Sequence, residues 1–528
     1  MTKSSTYHRL ILMLLAICYV VNVGLAIVRT SVVSDETDHF NYAVRLVKGN
    51  PDKTKPFDDA SCLPLSVVNT LPRAVHQLTH PGYAATDNGE NDIRAGRWIM
   101  VIFGLLLGFY IYRWSYEWYG KKAALISTAL FVFCPNLTAY AGFVMTDLFA
   151  ALFTIIPLYH FWKYRNGGGW RQFFYFAIAL SLAQVAKQSL SHLYFIFFIL
   201  WVVGIAADFR RSEFAVPRIL KKFAVLVLIQ LVVINIGFQF RHFGKSLKEY
   251  SFTSIAFSKL TDAAGPIASV PLPLPEPYLK GLDQTLYMVQ LGAGNKDVAA
   301  DNYLFGEKRK KPFAYYYFAI VFFKTPLATL IAVALSIFLM IRRINRSFWR
   351  NECFLVLPVV YFLLYFNLGV SIQGGLRHVL MIYPLLYVLC GRLIELDGAK
   401  GRAAALAGAV WLLASFYYYC PNLVPYTNET IPDKKMAYRV MADSNLDLGQ
   451  AQRWLRHFLA GHPEYKPAPL QPAAGKFYIG VNDLLDLYDE GNYTWLLDHF
   501  KPGGHVAHSI LLFDIDQADI AKITAPVR

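Results

Sequence analysis

Charged residues are scarce in this 528-residue sequence. Only 16% of the residues are Asp, Glu, Lys or Arg, whereas 55% are hydrophobic and the mean hydropathy is +0.34. Soluble domains are typically about one-quarter charged. The composition therefore excludes an ordinary soluble protein and predicts an integral membrane protein, and an aromatic content of 16% fits the aromatic belts of membrane interfaces.

The sequence also lacks the marks of several functional classes. It has no Gly-rich phosphate-binding loop, no internal repeat of fixed period, and no cytoplasmic loop large enough for a nucleotide-sugar domain. Its six cysteines are scattered without the spacing of a metal site. The net charge of +15 falls into short loops between apolar runs, which is typical of membrane topology, so no nucleic-acid partner is expected.

Long apolar runs occur along the first 420 residues. A membrane-spanning helix requires roughly 20 mostly apolar residues. Eleven runs meet this requirement approximately: 10–30, 95–112, 123–140, 146–162, 171–187, 189–207, 222–240, 324–341, 353–371, 376–393 and 402–420. The first run follows a positive flank without a small-residue cleavage site, which predicts a retained span rather than a removed signal peptide.

Lys and Arg recur in every second short loop, and this alternation sets the predicted orientation. It places the N-terminus in the cytoplasm of a multi-pass inner-membrane protein and three long segments outside: 31–94, 241–312 and 421–528. In the last segment "KFYIGV" and "SILLFDI" are typical of strands, and "LDLGQAQRWLRHFLAGH" is typical of a helix. We predict an all-α polytopic membrane domain over 1–420 with about eleven transmembrane helices, followed by a small extracytoplasmic α/β domain over 421–528.

The stretch "SDETDHFNYAVRLV" leaves the first span with several polar residues close together. Ser34 is a candidate N-cap for a helix that begins at Asp35, and acids in the first turn favour the helix dipole. Such a helix would lie along the membrane surface, with Asp35 and His39 on a polar face. Two interpretations remain open: an ordinary capped interfacial helix, or one half of a functional site.

Other polar residues fall at the same predicted outer face. A single residue of this kind usually caps a helix or extends toward the membrane surface. Together they predict an outer site with carboxylates at its centre and cations around it, and Pro326 predicts a break between a surface helix and the span that follows. These residues are Asp147, Lys187, Glu307, Lys324, Arg377 and His378.

A site of this composition suits sugar transfer at an anionic lipid head. A carboxylate can accept the proton of a hydroxyl that attacks the anomeric carbon of a sugar, which is worth about 10² to 10⁴-fold in rate. Lys and Arg can stabilise the negative charge on a departing phosphate. Because no nucleotide site is recognisable, the donor is expected to be lipid-linked.

Several motifs resemble the C-type (GT-C fold), polyprenyl-phosphate-sugar-dependent glycosyltransferases, which include the protein O-mannosyltransferases and the bacterial lipid A aminoarabinose transferases. They cover nearly the whole chain in family order, although Ser61, Cys62 and Leu448 depart from the family pattern. The matching stretches are "DETDHFNYAVRLVKGNP", "FDDASCLPLSVVNTLP", "CPNLTAYAGFVMTDLFAALF", "LAQVAKQSLSHLY", "YLFGEKRKKPFAYYYFAIVFFKTPL", "GGLRHVLMIYPLLYVL" and "ADSNLDLGQAQRWL".

The resemblance implies roles for individual residues. Asp35 and Glu36 occupy the motif that supplies the base or positions the acceptor, with Asp35 preferred as the base. Asp147 matches the second acid. The resemblance also implies that Lys187 and Arg377 bind the carrier phosphate, that His378 lies near the carrier head group, and that His39 belongs to the first motif without a defined role. Together with the outer-face residues, the candidates for substrate binding are His39, Lys187, Glu307, Lys324, Arg377 and His378.

The expected partners are a polyprenyl-phosphate sugar donor, membrane lipids, and a hydroxyl acceptor on a glycolipid, a glycan or a protein. No cofactor is required, although some members of the family bind a divalent cation near the acids. The main alternative is a multi-span lipid or glycan transporter or flippase, and a third is an inactive carrier-lipid sensor or assembly factor. Transporters typically carry charges at mid-membrane and show internal repeats, neither of which is found here.

Overall fold

The computed structural model describes residues 3–55, 57–80, 89–207, 216–295, 300–344, 346–396, 398–488 and 491–524. The fold is mostly helical. Up to residue 237 the helices are α1 (Lys3–Arg29), α2 (Ser34–Val47), α3 (Leu71–Thr79), α4 (Glu90–Tyr119), α5 (Lys121–Val132), α6 (Pro135–Ala141), α7 (Asp147–Lys163), α8 (Gly169–Gln184), α9 (His192–Ala207) and α10 (Val216–Gly237).

Residues 255–419 contain a small hairpin among their helices. Its elements are α11 (Ile255–Ala264), α12 (Glu276–Leu291), the hairpin β1 (Asn302–Leu304) and β2 (Glu307–Arg309), α13 (Tyr316–Lys324), α14 (Leu327–Ile341), α15 (Arg346–Arg350), α16 (Cys353–Leu368), α17 (Ile382–Cys390) and α18 (Ala399–Tyr419). The predicted span 376–393 is not one continuous helix, because a 3₁₀ turn at Leu376–Val379 precedes α17.

Three helices in the described residues are long and apolar enough to cross a membrane: Thr6–Arg29, Glu90–Tyr119 and Pro217–Gly237. Counting each of two bent helix pairs as one span raises the number to five. One pair, α13 and α14, is bent by 117° at the Thr325–Pro326 junction, which confirms the predicted break. The protein is a multi-pass membrane protein, while the number of eleven spans stays a prediction.

Helix α7 lies at the centre of the molecule. Every residue from Asp147 to Trp162 is buried, and the helix packs against α4, α8 and α17. A helix that is apolar on all sides is stable only when it is surrounded by other apolar elements. Its first residue, Asp147, therefore has a firmly fixed position at one end of the bundle.

The C-terminal segment contains a four-stranded sheet with short helices. The strands are β3 (Tyr465–Pro467), β4 (Gly475–Gly480), β5 (Gly504–Val506) and β6 (Ile510–Ile515), and the order in the sheet is β3-β4-β6-β5. Strands β4 and β6 lie at the two places where the sequence predicts strands. The helices are α19 (Gln452–Gly461), α20 (Val481–Leu484), α21 (Thr494–His499) and α22 (Gln517–Thr524).

The polar stretch after the first span forms α2, but its surroundings differ from the prediction. The helix begins at Ser34 with Val33 at the N-cap, so Ser34 is not the capping residue. Seven of its 14 residues are buried, among them both His39 and Phe40. Helix α2 is therefore packed inside the protein rather than lying on a membrane surface, because α4 and the segment 64–70 cover it.

Candidate active site

Asp35 and Arg377 form the first of two ion pairs that define the candidate site. Arg377 Nη1 donates to Asp35 Oδ2, although the two residues are 342 positions apart in the sequence. The side chain of Asp35 is still 36% exposed, so a substrate can reach the carboxylate. The Arg377 guanidinium is the largest cause that holds the pKa of Asp35 below its usual value.

Asp147 and Lys187 form the second ion pair. Lys187 Nζ donates to Asp147 Oδ1 at 2.5 Å, and the carboxylate side chain is only 3% exposed whereas the ammonium side chain is 17% exposed. Lys187 lies in an extended turn between α8 and the 3₁₀ helix Gln188–Ser191. Gln188 anchors this turn by donating to the carbonyl oxygen of Ala60 in the segment between α2 and α3.

His39 lies between the two ion pairs. Its ring is within the electrostatic range of Asp35, Asp147 and Lys187, and burial lowers its pKa to about 4, so the ring is neutral at pH 7. His39 Nδ1 has no hydrogen-bond partner in the part of the chain that the structure describes. The predicted residues Asp35, His39, Asp147, Lys187 and Arg377 are thus brought together in one cluster.

Two sequence motifs interlock to place Arg377. Gly375, in "GGLRH", has φ +80°, and a Cβ at this position would lie 2.3 Å from Ser444 Oγ, so only glycine fits. Ser444 Oγ donates to Gly374 O at 2.6 Å, and Leu376 N donates to Asn445 Oδ1 at 3.0 Å. Hydrogen bonds with the "DSN" stretch therefore fix the conformation of the loop that carries Arg377.

The same hydrogen bonds bring Asp443 to the site. This residue was not identified from the sequence. Asp443 is close enough to Arg377 and Asp35 for both charges to act on it, and burial raises its pKa. Its backbone is held at φ +55°, and Tyr488 Oη donates to Asp443 Oδ1 at 3.0 Å. The motif "ADSNLDLGQAQRWL" pointed to this region, but nothing in it indicated which acid faces the cluster.

Glu36 has a different environment from Asp35. Its side chain is completely buried, and it accepts hydrogen bonds from Arg97 at 2.7 and 2.5 Å and from Val144 N at 2.9 Å. It also accepts from Val33 N at 3.1 Å and so caps the helix. Neighbouring residues on a helix point about 100° apart, which separates Glu36 from Asp35. These contacts tie Glu36 to α4 and to the segment before α7, while the catalytic role predicted for Glu36 stays a prediction.

The remaining predicted residues lie outside the two ion pairs. Lys324 is buried and donates to Val424 O at 2.5 Å and Asn445 O at 2.6 Å, which ties α13 to the segment after α18. Glu307 is exposed in β2 and pairs with Arg309 at 3.2 Å. The ring of His378 packs near Tyr317 and Phe366, with centroid distances of 6.4 and 5.8 Å. It is also within the electrostatic range of both ion pairs, as His39 is, so His378 lies at the edge of the cluster.

The described residues contain no group of three or more His, Cys, Asp or Glu side chains arranged to hold a metal ion. At the centre of the cluster each carboxylate, Asp35 and Asp147, already has a cationic side chain as its partner. In this arrangement a divalent cation would compete with Arg377 and Lys187 for these carboxylates, and no step below uses one.

Asp38, on α2, allows a test of the electrostatics around this helix through the pH dependence of protein stability. Burial, together with Asp58 and Asp35, raises the pKa of Asp38 to about 6. Since the folded state favours the protonated form, stability is lost as the pH rises from the unfolded-state pKa, near 4, to about 6. Asp38→Asn is expected to raise the Tm of the purified protein above pH 6 and to change it little at pH 4.

The measurement is a thermal-unfolding series in detergent between pH 4 and 8. Asp262→Asn is the matched control, since Asp262 is an exposed acid on α11. A Tm difference for Asp38→Asn that is the same at all pH values, or that matches the control, would contradict the assignment.

Lys187 is expected to contribute to the affinity for a phosphate-bearing donor. A hydrogen bond to a charged group is worth about 1.5–3 kcal/mol, so Lys187→Met is expected to raise the KM for the lipid-linked donor by roughly 10- to 150-fold, while Lys187→Arg retains most of the affinity. Lys245→Met is the control, because Lys245 also pairs with a buried acid, Glu276 at 3.2 Å, outside the cluster. An equal KM for Lys187→Met and wild type would refute this role.

Comparison with known proteins supports the resemblance indicated by the motifs. Residues 83–249, just under one-third of the chain, match the family model described as dolichyl-phosphate-mannose-protein mannosyltransferase. The match includes Asp147 and Lys187 but neither Asp35 nor Arg377. The chain thus resembles the membrane glycosyltransferases of the C-type class. No curated protein sequence matches it.

Two solved structures are similar in fold. ArnT from Cupriavidus metallidurans bound to undecaprenyl phosphate is 12% identical with a TM-score of 0.49, and the match covers 96% of this chain and 98% of ArnT. AglB from Archaeoglobus fulgidus, in complex with an inhibitory peptide and a dolichol-phosphate, is 14% identical with a TM-score of 0.47, and the match covers 90% of this chain and 61% of AglB. At these TM-scores neither likeness assigns a role to any residue of this chain.

Proposed function

We propose that this protein is a membrane glycosyltransferase that moves a sugar from a polyprenyl-phosphate-linked donor to a hydroxyl acceptor. The observation that carries the proposal is the pairing of an accessible carboxylate, Asp35, with Arg377, next to the Asp147–Lys187 pair. This arrangement provides a proton acceptor and two cations within one cluster. Transfer of a hexosyl or pentosyl group away from a lipid phosphate requires these groups and no nucleotide.

In the proposed reaction Asp35 accepts the proton of the acceptor hydroxyl. The hydroxyl oxygen forms a bond to the anomeric carbon as the bond from that carbon to the phosphate oxygen breaks, which inverts the configuration. Polyprenyl phosphate leaves with the additional negative charge. Lys187 and Arg377 stabilise this charge, and Asp147 holds Lys187 in position as its buried partner.

Arg377 couples donor binding to the basicity of Asp35. Without a substrate, its guanidinium lowers the pKa of Asp35 and so weakens the carboxylate as a base. A donor phosphate competes for the same guanidinium, because both oxyanions suit its donor geometry. Once the phosphate takes over part of this interaction, the pKa of Asp35 rises and proton acceptance becomes easier.

The proposed location of the reaction is the outer face of the cytoplasmic membrane. The positive-inside pattern supports this orientation, with the N-terminus in the cytoplasm and the C-terminus outside. The acceptor is a glycolipid, a glycan or a protein that reaches this face.

A deletion strain tests the function in the cell. Mass spectrometry of its lipid-linked sugars and surface glycans is expected to show the loss of one sugar substituent and accumulation of the corresponding polyprenyl-phosphate sugar. Restoration by the wild-type gene and not by the Asp35→Asn variant is the expected control result. Unchanged lipid-linked sugars together with unchanged surface glycans would contradict the proposal.

A further inference from the structure

A cavity of about 230 Å³ lies in the C-terminal segment, outside the cluster of ion pairs. Its lining consists of Asn482, Asp483, Asp486, Leu487, Tyr488, Gly491 and Tyr493. Pockets for drug-sized ligands usually measure about 300–1,000 Å³. This cavity is smaller and thus suits a single sugar-sized ring.

Two side chains connect this cavity to the candidate active site. Tyr488 is part of the cavity wall, and its hydroxyl donates to Asp443 Oδ1 at 3.0 Å. Asp443 in turn interacts electrostatically with Arg377 and Asp35. Two side chains, Tyr488 and Asp443, therefore link a ligand in the cavity to Arg377 and Asp35.

The cavity wall is also anchored to the turn that carries Asp443. Asn482 Oδ1 accepts from Asp443 N at 2.9 Å, and Asn482 Nδ2 donates to Asp447 O at 3.2 Å. Both Asp443 and Asp486 have positive φ values, +55° and +48°, which non-glycine residues rarely adopt. Such conformations persist only where the surrounding structure enforces them, and they concentrate at functional sites.

The lining indicates the class of ligand. Two carboxylates and one amide can accept hydrogen bonds from hydroxyl or ammonium groups, and two tyrosines provide apolar ring faces with polar tips. The charges of Asp483 and Asp486 both act on Tyr493 and so converge on the cavity. Lys308 Nζ lies 3.8 Å from Asp486 Oδ2 and offsets part of this negative charge. The two carboxylates still leave a net negative lining, which disfavours a phosphate group, in contrast to the cation-rich cluster around Lys187 and Arg377.

We propose that this cavity binds a non-phosphorylated sugar ring of the acceptor, either neutral or amine-bearing, and thereby positions the rest of the acceptor near Asp35. The acceptor assignment rests on the proposed transferase function, whereas binding of a sugar ring by the cavity does not. The C-terminal segment thus supplies acceptor specificity, and the membrane domain supplies donor binding.

Ligand-detected NMR with the purified full-length protein tests the binding step without any donor. The probes are glucosamine, methyl glucoside and glucose 6-phosphate. Glucosamine and methyl glucoside are expected to bind at least tenfold more tightly than glucose 6-phosphate. Asp486→Asn, which retains a residue type that tolerates positive φ, is expected to weaken glucosamine binding about tenfold or more.

Asp498→Asn is the matched control for the loss of an acid, since Asp498 is exposed on α21 of the same segment. Equal binding of glucose 6-phosphate, or unchanged glucosamine binding by Asp486→Asn, would overturn the assignment of the cavity. Added glucosamine is further expected to slow sugar transfer in native membranes, with at least tenfold lower potency on Asp486→Asn. Binding without this inhibition would refute the acceptor role alone, and absence of transfer in wild type would refute the transferase while leaving the cavity intact.

Discussion

Asp35→Asn is expected to lower the rate of sugar transfer by about 10² to 10⁴-fold, the range that a positioned general base supplies. The substitution keeps the shape of the side chain and can still accept a hydrogen bond from Arg377. It removes the capacity to take up a proton. Because the side chain is partly exposed, the fold does not depend on this carboxylate in the way it depends on a fully buried one.

The rate is measured as transfer of labelled sugar from a polyprenyl-phosphate donor in membranes that contain equal amounts of each variant. Asp52→Asn is the matched control, since Asp52 also pairs with an arginine, Arg241 at 2.7 Å, but in a more exposed position away from the cluster. The control is expected to retain wild-type turnover. Turnover by Asp35→Asn within a few-fold of wild type would show that another group is the base.

Glu36→Gln is expected to destabilise the protein rather than to act on the chemistry. Removing one partner of a buried ion pair leaves an uncompensated charge, which costs about 3–5 kcal/mol. Arg97 would be that charge, since it is completely buried and its other contacts are carbonyl and hydroxyl oxygens of residues 27–31. The expected result is a clear fall in Tm and in the yield of folded protein.

A double variant distinguishes the contribution of the Glu36–Arg97 ion pair to stability from the contribution of Glu36 as a helix cap. In Glu36→Gln with Arg97→Met neither side chain carries a charge, so part of the lost stability is expected to return. Glu249→Gln is the control for capping alone, because Glu249 caps an exposed 3₁₀ turn by accepting from Ser246 N at 3.0 Å. If Glu36→Gln keeps the wild-type Tm and loses sugar transfer, Glu36 and not Asp35 carries the chemistry.

The membrane character and several local features were predictable from the sequence. The scarcity of charge identified a membrane protein, and Pro326 correctly predicted the break between α13 and α14. These features depend on composition or on one residue with strong backbone restrictions. The strands β4 and β6 likewise follow from short runs rich in β-branched and aromatic residues.

The sequence did not predict to the same extent which acidic residue pairs with which basic residue in the candidate site. Adjacent acids such as Asp35 and Glu36 look equivalent in a sequence, and only tertiary structure assigns one to Arg377 and the other to Arg97. The burial of α2 was missed for a related reason. Its polar residues suggested a surface helix, whereas long-range partners satisfy their charges and hydrogen bonds inside the protein.

Asp443 illustrates the limit for residues that are distant in sequence. It reaches the site because "DSN" interlocks with "GGLRH", a contact between segments about 70 residues apart. No periodicity or spacing encodes such a contact. The motif identified the segment, but the side chain that faces Arg377 emerged only from the fold.

The most direct test of the central claim follows the lipid product of the wild-type protein in sealed vesicles. The vesicles contain a panel of polyprenyl-phosphate sugars and native membrane acceptors, and mass spectrometry measures the free polyprenyl phosphate. A transferase is expected to release polyprenyl phosphate from one donor, with loss of the release in Asp35→Asn. Movement of an intact donor across the membrane without release of polyprenyl phosphate would contradict the account and identify a transporter.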